Sequence, residues 1–269
     1  MHPSATLTAP APAEIARATG VVAAIPARWG STRLPGKPLA RLAGRPLIEH
    51  VYRRAAAAPG LDGVVVLTDD ERIAAAVEGF GGRCQLTPAD CASGTDRIAW
   101  AARGWRAAAV VNVQGDEPLI EPEAIGRLAR WLEGRPGDPM VTCAAPATAE
   151  EFADPNAVKV VLGAGGHALY FSRAAIPYPR RPPGGGAGAC EAARPLKHLG
   201  IYGYQRRALL ALAALAPTPL ETAEALEQLR ALEHGIPIRV LVVDRAAPGV
   251  DTPEDLAQVE ALLAAREER

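Results

Sequence analysis

No stretch of this 269-residue chain approaches the roughly 18 uncharged apolar residues of a membrane-crossing helix, which excludes a membrane protein. Excess charge of one sign is also missing: 29 Lys+Arg stand against 30 Asp+Glu. A nucleic-acid binder usually carries a large positive surplus, so no nucleic acid is expected as a partner. Cysteine is scarce and scattered at Cys84, Cys91, Cys143 and Cys190, with no C-x-x-C and no His at finger spacing. That excludes a disulfide framework or zinc module and reads as four buried small thiols in a reducing cytoplasm. The opening MHPSATLTAPAPAEIARATG lacks a cationic start and a compact Leu/Val run. Residues 1–20 therefore read as a flexible Ala/Pro tail, not a signal peptide. There is no internal repeat and no clear linker.

What is present is ordinary for a globular protein, 49% apolar and 22% charged residues, enough for one large α/β domain over 21–269. Short apolar, β-branched runs alternate with longer helical stretches. Strands are expected at 21–25, 63–67 and 109–113, and helices at 45–58, 70–79, 94–103 and 121–133. Pro46 suits the first turn of its helix, and Gly79 ends another. Strands separated by helices of that length imply βαβ crossovers and a mostly parallel sheet flanked by helices. The second half is less regular, with an irregular sub-region at about 157–204. It holds a strand pair at 157–162 and 167–171, a Pro/Gly-rich loop at 179–193 and a further strand at 198–204. One helix over 220–234, a strand at 238–243 and a closing helix at 253–266 complete the chain.

The segment directly after the first strand, IPARWGSTRLPGK, is the first to carry chemistry. A loop there lies at the carboxyl edge of a doubly wound sheet, where ligands bind. Gly30 and Gly36 permit close backbone approach, Arg28, Arg33 and Lys37 supply positive charge, and Ser31 and Thr32 add hydroxyls. A triphosphate needs this mixture. It is not a P-loop, because five residues separate Gly30 from Gly36 and Pro38 stands where Ser or Thr is required. Gly184-x-Gly186-x-x-Ala189 follows two prolines, not a strand, and is dismissed as a dinucleotide fingerprint.

After the third strand, Gln114-Gly115-Asp116-Glu117 delivers a carboxylate to the same edge. A carboxylate facing a phosphate cradle makes sense with a divalent cation between them. Asp251 is the second acidic candidate, open at this point between a metal role and capping of the helix that Thr252 and Pro253 begin. Ser93 to Arg97 opens a helix, where free N–H groups meet a nucleotide or Ser93 merely caps. The pattern suggests Mg²⁺-assisted phosphoryl or nucleotidyl transfer. Glu227 and Gln228 read as a solvated helical face, and His198 stands between core histidine and ligand contact.

In order along the chain, IPARWGSTRLPGKPL, SGTDRIA, VNVQGDEPLI, NAVKVV, ALYFSRAAIPY, KHLGIYGY, LEQLRALEHG and GVDTPEDL closely resemble the CMP-Kdo synthetases, the 3-deoxy-manno-octulosonate cytidylyltransferases. The resemblance covers nearly everything from residue 21 onward. It implies a Rossmann-like nucleotidyltransferase fold with a smaller dimerisation and sugar-closing sub-region, dependence on Mg²⁺, a homodimer, and a cytoplasmic place in lipopolysaccharide biosynthesis. CTP and the sugar acid Kdo are the implied substrates. Ala27, Arg28, Ser31 and Lys37 would meet the CTP phosphates, with Ser93 and Arg97 beside the nucleotide. Asp116 and Asp251 would hold the metal, and Gln114, Arg173, His198, Tyr202, Glu227 and Gln228 would surround the sugar. Arg28, Lys37, Asp116 and Asp251 form the implied catalytic set. Leu67-Thr68-Asp69 departs from the family's usual Ala-Thr-Asp, and the 179–193 loop is peculiar to this chain. Activation of a related acidic sugar (8-amino-Kdo or a sialic acid) and a silent CTP or sugar-acid sensor are the rival readings.

Overall fold

Both faces of a parallel strand are covered by helices, so its sequence shows a continuous apolar run in place of an alternation. Strand β1 (Val21–Ala27) is such a run, with only Pro26 less than fully buried. The computed structural model describes residues 11–30, 34–178, 180 and 195–267. Ahead of β1 comes α1 (Ala13–Arg17), and after it a 3₁₀ turn (Lys37–Leu39) and a small hairpin of β2 (Arg41–Leu42) and β3 (Arg45–Pro46). Then α2 (Leu47–Ala56), β4 (Gly63–Thr68), α3 (Glu71–Gly79), β5 (Cys84–Leu86), α4 (Gly94–Ala102), β6 (Ala109–Asn112) and α5 (Pro122–Gly134) complete the alternating half. The second half runs β7 (Met140–Pro146), α6 (Ala149–Ala153), β8 (Lys159–Leu162), β9 (Ala168–Ser172), β10 (Leu196–Gln205) and α7 (Arg206–Ala213). It ends with α8 (Pro219–Glu224), α9 (Gln228–Glu233), β11 (Ile238–Val242) and α10 (Pro253–Glu267).

The main sheet has the order β11-β7-β10-β6-β1-β4-β5, with β8 and β9 attached beside β10. Neighbours are parallel except at β10, which runs antiparallel to both β6 and β7. Successive residues of β1 feed opposite cores, as a strand's period of two demands. Val22 and Ala24 join Val65, Ile98 and Phe171 on one face, while Val21, Ala23 and Ile25 join Val51, Val66 and Leu128 on the other. A small third cluster, Leu42, Leu47, Leu119, Val250 and Val259, docks α10 against the first half of the chain.

Four sequence expectations are corrected. Residues 13–17 are not a loose tail: α1 buries Ile15 completely, against β4 at Gly63. Helix α2 begins at Leu47, because Arg45 and Pro46 are taken by the hairpin. The single helix expected over 220–234 is two, broken at Ala225, which adopts a left-handed conformation (φ 50°). The break lets Leu226 and Leu229 both enter the first core. Finally, β7 was not anticipated at all, although it lies between β10 and β11. The 179–193 loop, apart from Arg180, lies outside the described residues.

Candidate active site

At the carboxyl ends of β1 and β6 opens a cavity of about 530 Å³. Its walls come from four chain segments, around residues 26–38, 91–97, 114–116 and 251, that crowd the end of β1. Gly115 is one reason they fit, since a Cβ there would stand 2.9 Å from the Pro26 carbonyl oxygen. Gly36 is another. It sits at φ 68° against the indole of Trp29, a conformation and a space that only glycine tolerates. The turn it makes starts the 3₁₀ segment and brings Lys37 inward.

Lys37 is the hub. Its Nζ donates to Asp116 Oδ2 at 2.7 Å, to Asp251 Oδ1 at 3.0 Å and to the Val250 carbonyl at 3.1 Å. Burial alone would lower its pKa, but Asp116, followed by Asp251, outweighs that and holds the ammonium above its ordinary value near 10.5. The two carboxylates come from chain segments far apart in sequence, and a backbone bond from Val250 N–H to the Asp116 carbonyl (2.8 Å) ties those segments together. Asp251 reaches Lys37 from just ahead of the helix cap. Thr252 and Asp255 form the cap, with Asp255 accepting from the N–H groups of Asp251 and Thr252 at 2.9 Å. Glu117, next to Asp116 in the chain, is desolvated, and burial together with the charge of Asp116 pushes its pKa up to about 8.

Ala27, Arg28, Lys37, Ser93, Arg97, Gln114, Asp116 and Asp251 all line this cavity. Ser93 does cap α4, accepting from the Asp96 N–H, and yet remains in the wall. Arg97 is buried with its guanidinium engaged by Thr87, the Pro88 carbonyl and Asp69. It is therefore a fixed cation of the floor. Ser31 lies outside the described residues. Cys91 also faces the cavity, half-buried, where the sequence had suggested a core thiol; Cys84 is likewise only half-buried and Cys143 alone is buried. Cys190 lies outside the described residues.

The remaining candidates form a second group on β10 and the α8–α9 corner. His198, Tyr202 and Tyr204 follow one another along β10, the first pair tilted with ring centroids 5.1 Å apart and the second stacked at 6.0 Å, and Phe171 meets His198 edge-on. Desolvation lowers the His198 pKa to about 3 and raises that of Tyr202 well above its ordinary value. Glu227 links this group to the cavity, its Oε1 lying 3.5 Å from Ser93 Oγ, and Gln228 beside it is buried. Arg173 is not brought to the cavity. Its guanidinium donates to the carbonyls of Glu224, Pro155 and Ala225, bracing the corner where α8 ends.

Hard oxygen donors from two carboxylates, converging on a point where a cation already sits as the Lys37 ammonium, suit a divalent metal completed by substrate oxygens. No group of three or more His, Cys, Asp or Glu side chains able to hold a metal occurs among the described residues. A Rossmann-like sheet with a basic loop and paired acids at its carboxyl edge defines a nucleotidyltransferase. Residues 22–239 match the family model described as Cytidylyltransferase. The 3-deoxy-manno-octulosonate cytidylyltransferase of Myxococcus xanthus is 52% identical over 91% of this chain and 97% of its own. That of Syntrophotalea carbinolica is 51% identical over 90% and 98%. Among solved structures, CMP:2-keto-3-deoxy-manno-octonic acid synthetase complexed with CTP superposes with a TM-score of 0.86 at 44% identity, covering 92% of this chain and 99% of that one. The chain belongs to the cytidylyltransferase family, among its 3-deoxy-manno-octulosonate cytidylyltransferases. The family is generally metal-dependent. No described helix is long and apolar enough to cross a membrane.

Proposed function

We propose that this protein transfers CMP from CTP to the anomeric 2-hydroxyl of 3-deoxy-D-manno-octulosonate (Kdo), releasing pyrophosphate, within the cytoplasm. The observation that carries the reading is the convergence of Lys37, Asp116 and Asp251 in one cavity of a chain about half identical to relatives of that name. A bond forms between the sugar oxygen and the α-phosphorus, the bond from that phosphorus to the pyrophosphate oxygen breaks, and the hydroxyl proton goes to solvent. Holding the two anions in line in one site is itself much of the catalysis, on the order of 7–11 kcal/mol for well-oriented partners.

The residues then divide the work. Arg28 and Lys37 neutralise charge that develops on the leaving pyrophosphate, with Ala27 and Ser31 in the same phosphate loop. Ser93 and the fixed cation of Arg97 flank the nucleotide. Asp116 and Asp251 would hold Mg²⁺, which when bound screens phosphate charge and acidifies a hydroxyl at its surface. Gln114, Tyr202, Glu227, Gln228 and a neutral His198 face the polyol, and Arg173 shapes that wall by bracing the α8–α9 corner. A homodimer is part of the proposal, with Leu169 (64% exposed) and Tyr178 (86% exposed) as apolar surface available to a second copy.

The test is pyrophosphate release with Mg²⁺ and each of CTP, UTP, ATP and GTP, with and without Kdo. Release only with CTP plus Kdo is expected, and EDTA stops it. Turnover with a different acidic sugar and none with Kdo would overturn the substrate, and CTP binding without turnover on any sugar acid would overturn the reaction.

A further inference from the structure

Strand β10 does not pair evenly with β7. Leu199 lies opposite Cys143 and Tyr202 opposite Thr142, so Gly200 and Ile201 bulge out between them. The bulge turns backbone carbonyls away from the ladder, and one side chain collects them. Thr142 Oγ lies 2.7 Å from the Ile201 carbonyl oxygen and 3.3 Å from that of Leu199. The same hydroxyl is 3.0 Å from His198 Nε2. Gly200, at the crest, sits against Gln114 and Glu117, where a Cβ would be 3.6 Å from Gln114 Cγ and 3.3 Å from Glu117 Oε1. One buried hydroxyl thus joins the bulge that reaches the cavity wall to the ring that stands in the proposed sugar group.

Proton bookkeeping assigns the ring. A threonine hydroxyl has a single hydrogen, and carbonyl oxygens only accept. Pointing that hydrogen at the imidazole would leave two oxygens at 2.7 and 3.3 Å facing the hydroxyl oxygen with no proton between them. The hydrogen therefore goes to the bulge carbonyls, and the hydroxyl oxygen accepts from His198 Nε2–H. We infer that Thr142 is a positioning residue for sugar recognition: it holds His198 as the Nε2–H tautomer, so that Nδ1 is the ring's one acceptor, offered to a hydroxyl of the acidic sugar. The ring is held between Phe171, edge-on at 5.0 Å, and Tyr202, tilted at 5.1 Å. The inference rests on the proposed sugar role of His198, but the tautomer itself does not.

The experiment has two arms. Nitrogen-15 NMR of the ¹⁵N-histidine-labelled wild-type protein, with His198→Asn used to assign the signal, reads the tautomer without substrate. Nε2–H is expected, and Nδ1–H in the wild type overturns the inference outright, whatever the variants do. Steady-state kinetics then compares Thr142→Val with Thr142→Ser. Valine removes the acceptor, so the tautomer signal changes and KM for Kdo rises about tenfold, the scale of one lost hydrogen bond, while KM for CTP holds. Serine keeps the hydroxyl and restores both. A valine variant with unchanged KM for Kdo, or a serine variant as impaired as valine, overturns the positioning role. Wild-type protein inactive on Kdo would instead strike the proposed reaction, and would leave the tautomer readout standing.

Discussion

The backbone N–H of Val250 donates to the carbonyl oxygen of Asp116 at 2.8 Å, so the loop after β6 and the loop before α10 are held side by side. Neither residue's side chain takes part. Yet this bond sets the spacing at which Asp116 and Asp251 flank Lys37, and Val250 is itself anchored in the small core beneath α10. The carboxyl pair is therefore built by packing at the far end of the chain as much as by the strand that carries Asp116.

Asp116→Asn removes one charge and keeps the shape. Lys37 retains Asp251 and the Val250 carbonyl, so thermal unfolding should shift by no more than a few degrees. Pyrophosphate release from CTP plus Kdo should fall by about a hundredfold or more, the scale of losing a preorganised electrostatic group. Near-normal turnover in this variant would remove Asp116 from the catalytic set.

Lys37→Met leaves Asp116 and Asp251 facing each other without their ammonium. Turnover is expected to fall and KM for CTP to rise, while the site should need less Mg²⁺ for half-maximal rate, because two carboxylates freed of their ammonium attract a divalent cation more strongly. Since the native pKa of Lys37 lies above the ordinary 10.5, its pairing stabilises the fold fully below that value. The contribution is lost as pH rises through the native pKa. Urea unfolding at pH 9 and pH 11 should show a steeper loss in wild type than in Lys37→Met.

Gly115→Ala tests the close approach of two loops. The added Cβ would stand 2.9 Å from the Pro26 carbonyl oxygen, and backbone cannot yield as a flexible side chain does. Overpacking of this kind costs typically 1–3 kcal/mol, and the displaced loop carries Gln114 and Asp116. A lower unfolding midpoint in urea together with at least a tenfold drop in kcat/KM is expected. Retention of both would show that the loop has slack.

His198 stays neutral in the native state, its pKa lowered to about 3 by burial, against about 6.5 when unfolded. Between those values the unfolded chain binds the additional proton, so stability falls as pH drops from 6.5 toward 3, by at most about 1.4 kcal/mol per unit. Replacing His198 with Asn should flatten that part of the stability curve. A wild-type protein whose stability is level from pH 6.5 to 4.5 would contradict it, and the pH–rate profile above pH 5 should show no limb from this residue.

The parallel strands were legible because burial on both faces leaves an unbroken apolar run, as in Val64-Val65-Val66-Leu67. Strand β7 was not, since Cys143-Ala144-Ala145-Pro146 carries little β-branched signal and owes its place to the neighbours on either side. The break at Ala225 was equally hidden. Local propensity over 220–234 favours one helix, and the requirement that Leu226 and Leu229 share a core overrides it. Cavity residues on post-strand loops were readable as short contiguous motifs, whereas Cys91 gave no sign of its position.

Sequence alone determined the chemistry available to this protein: a basic glycine loop after the first strand, acids after the third strand and before the last helix, and the order of motifs that mark its family. Those are local properties, fixed by residue type and spacing. Tertiary structure decided which groups share a point in space. It showed that Thr252 and Asp255 cap the last helix while Asp251 meets Lys37, and that Arg173 braces a corner away from the cavity. It also placed the Thr142 hydroxyl 3.0 Å from His198 Nε2, on a strand no pattern announced. Such relations depend on contacts between segments distant in the chain, and only the packed core brings those segments together.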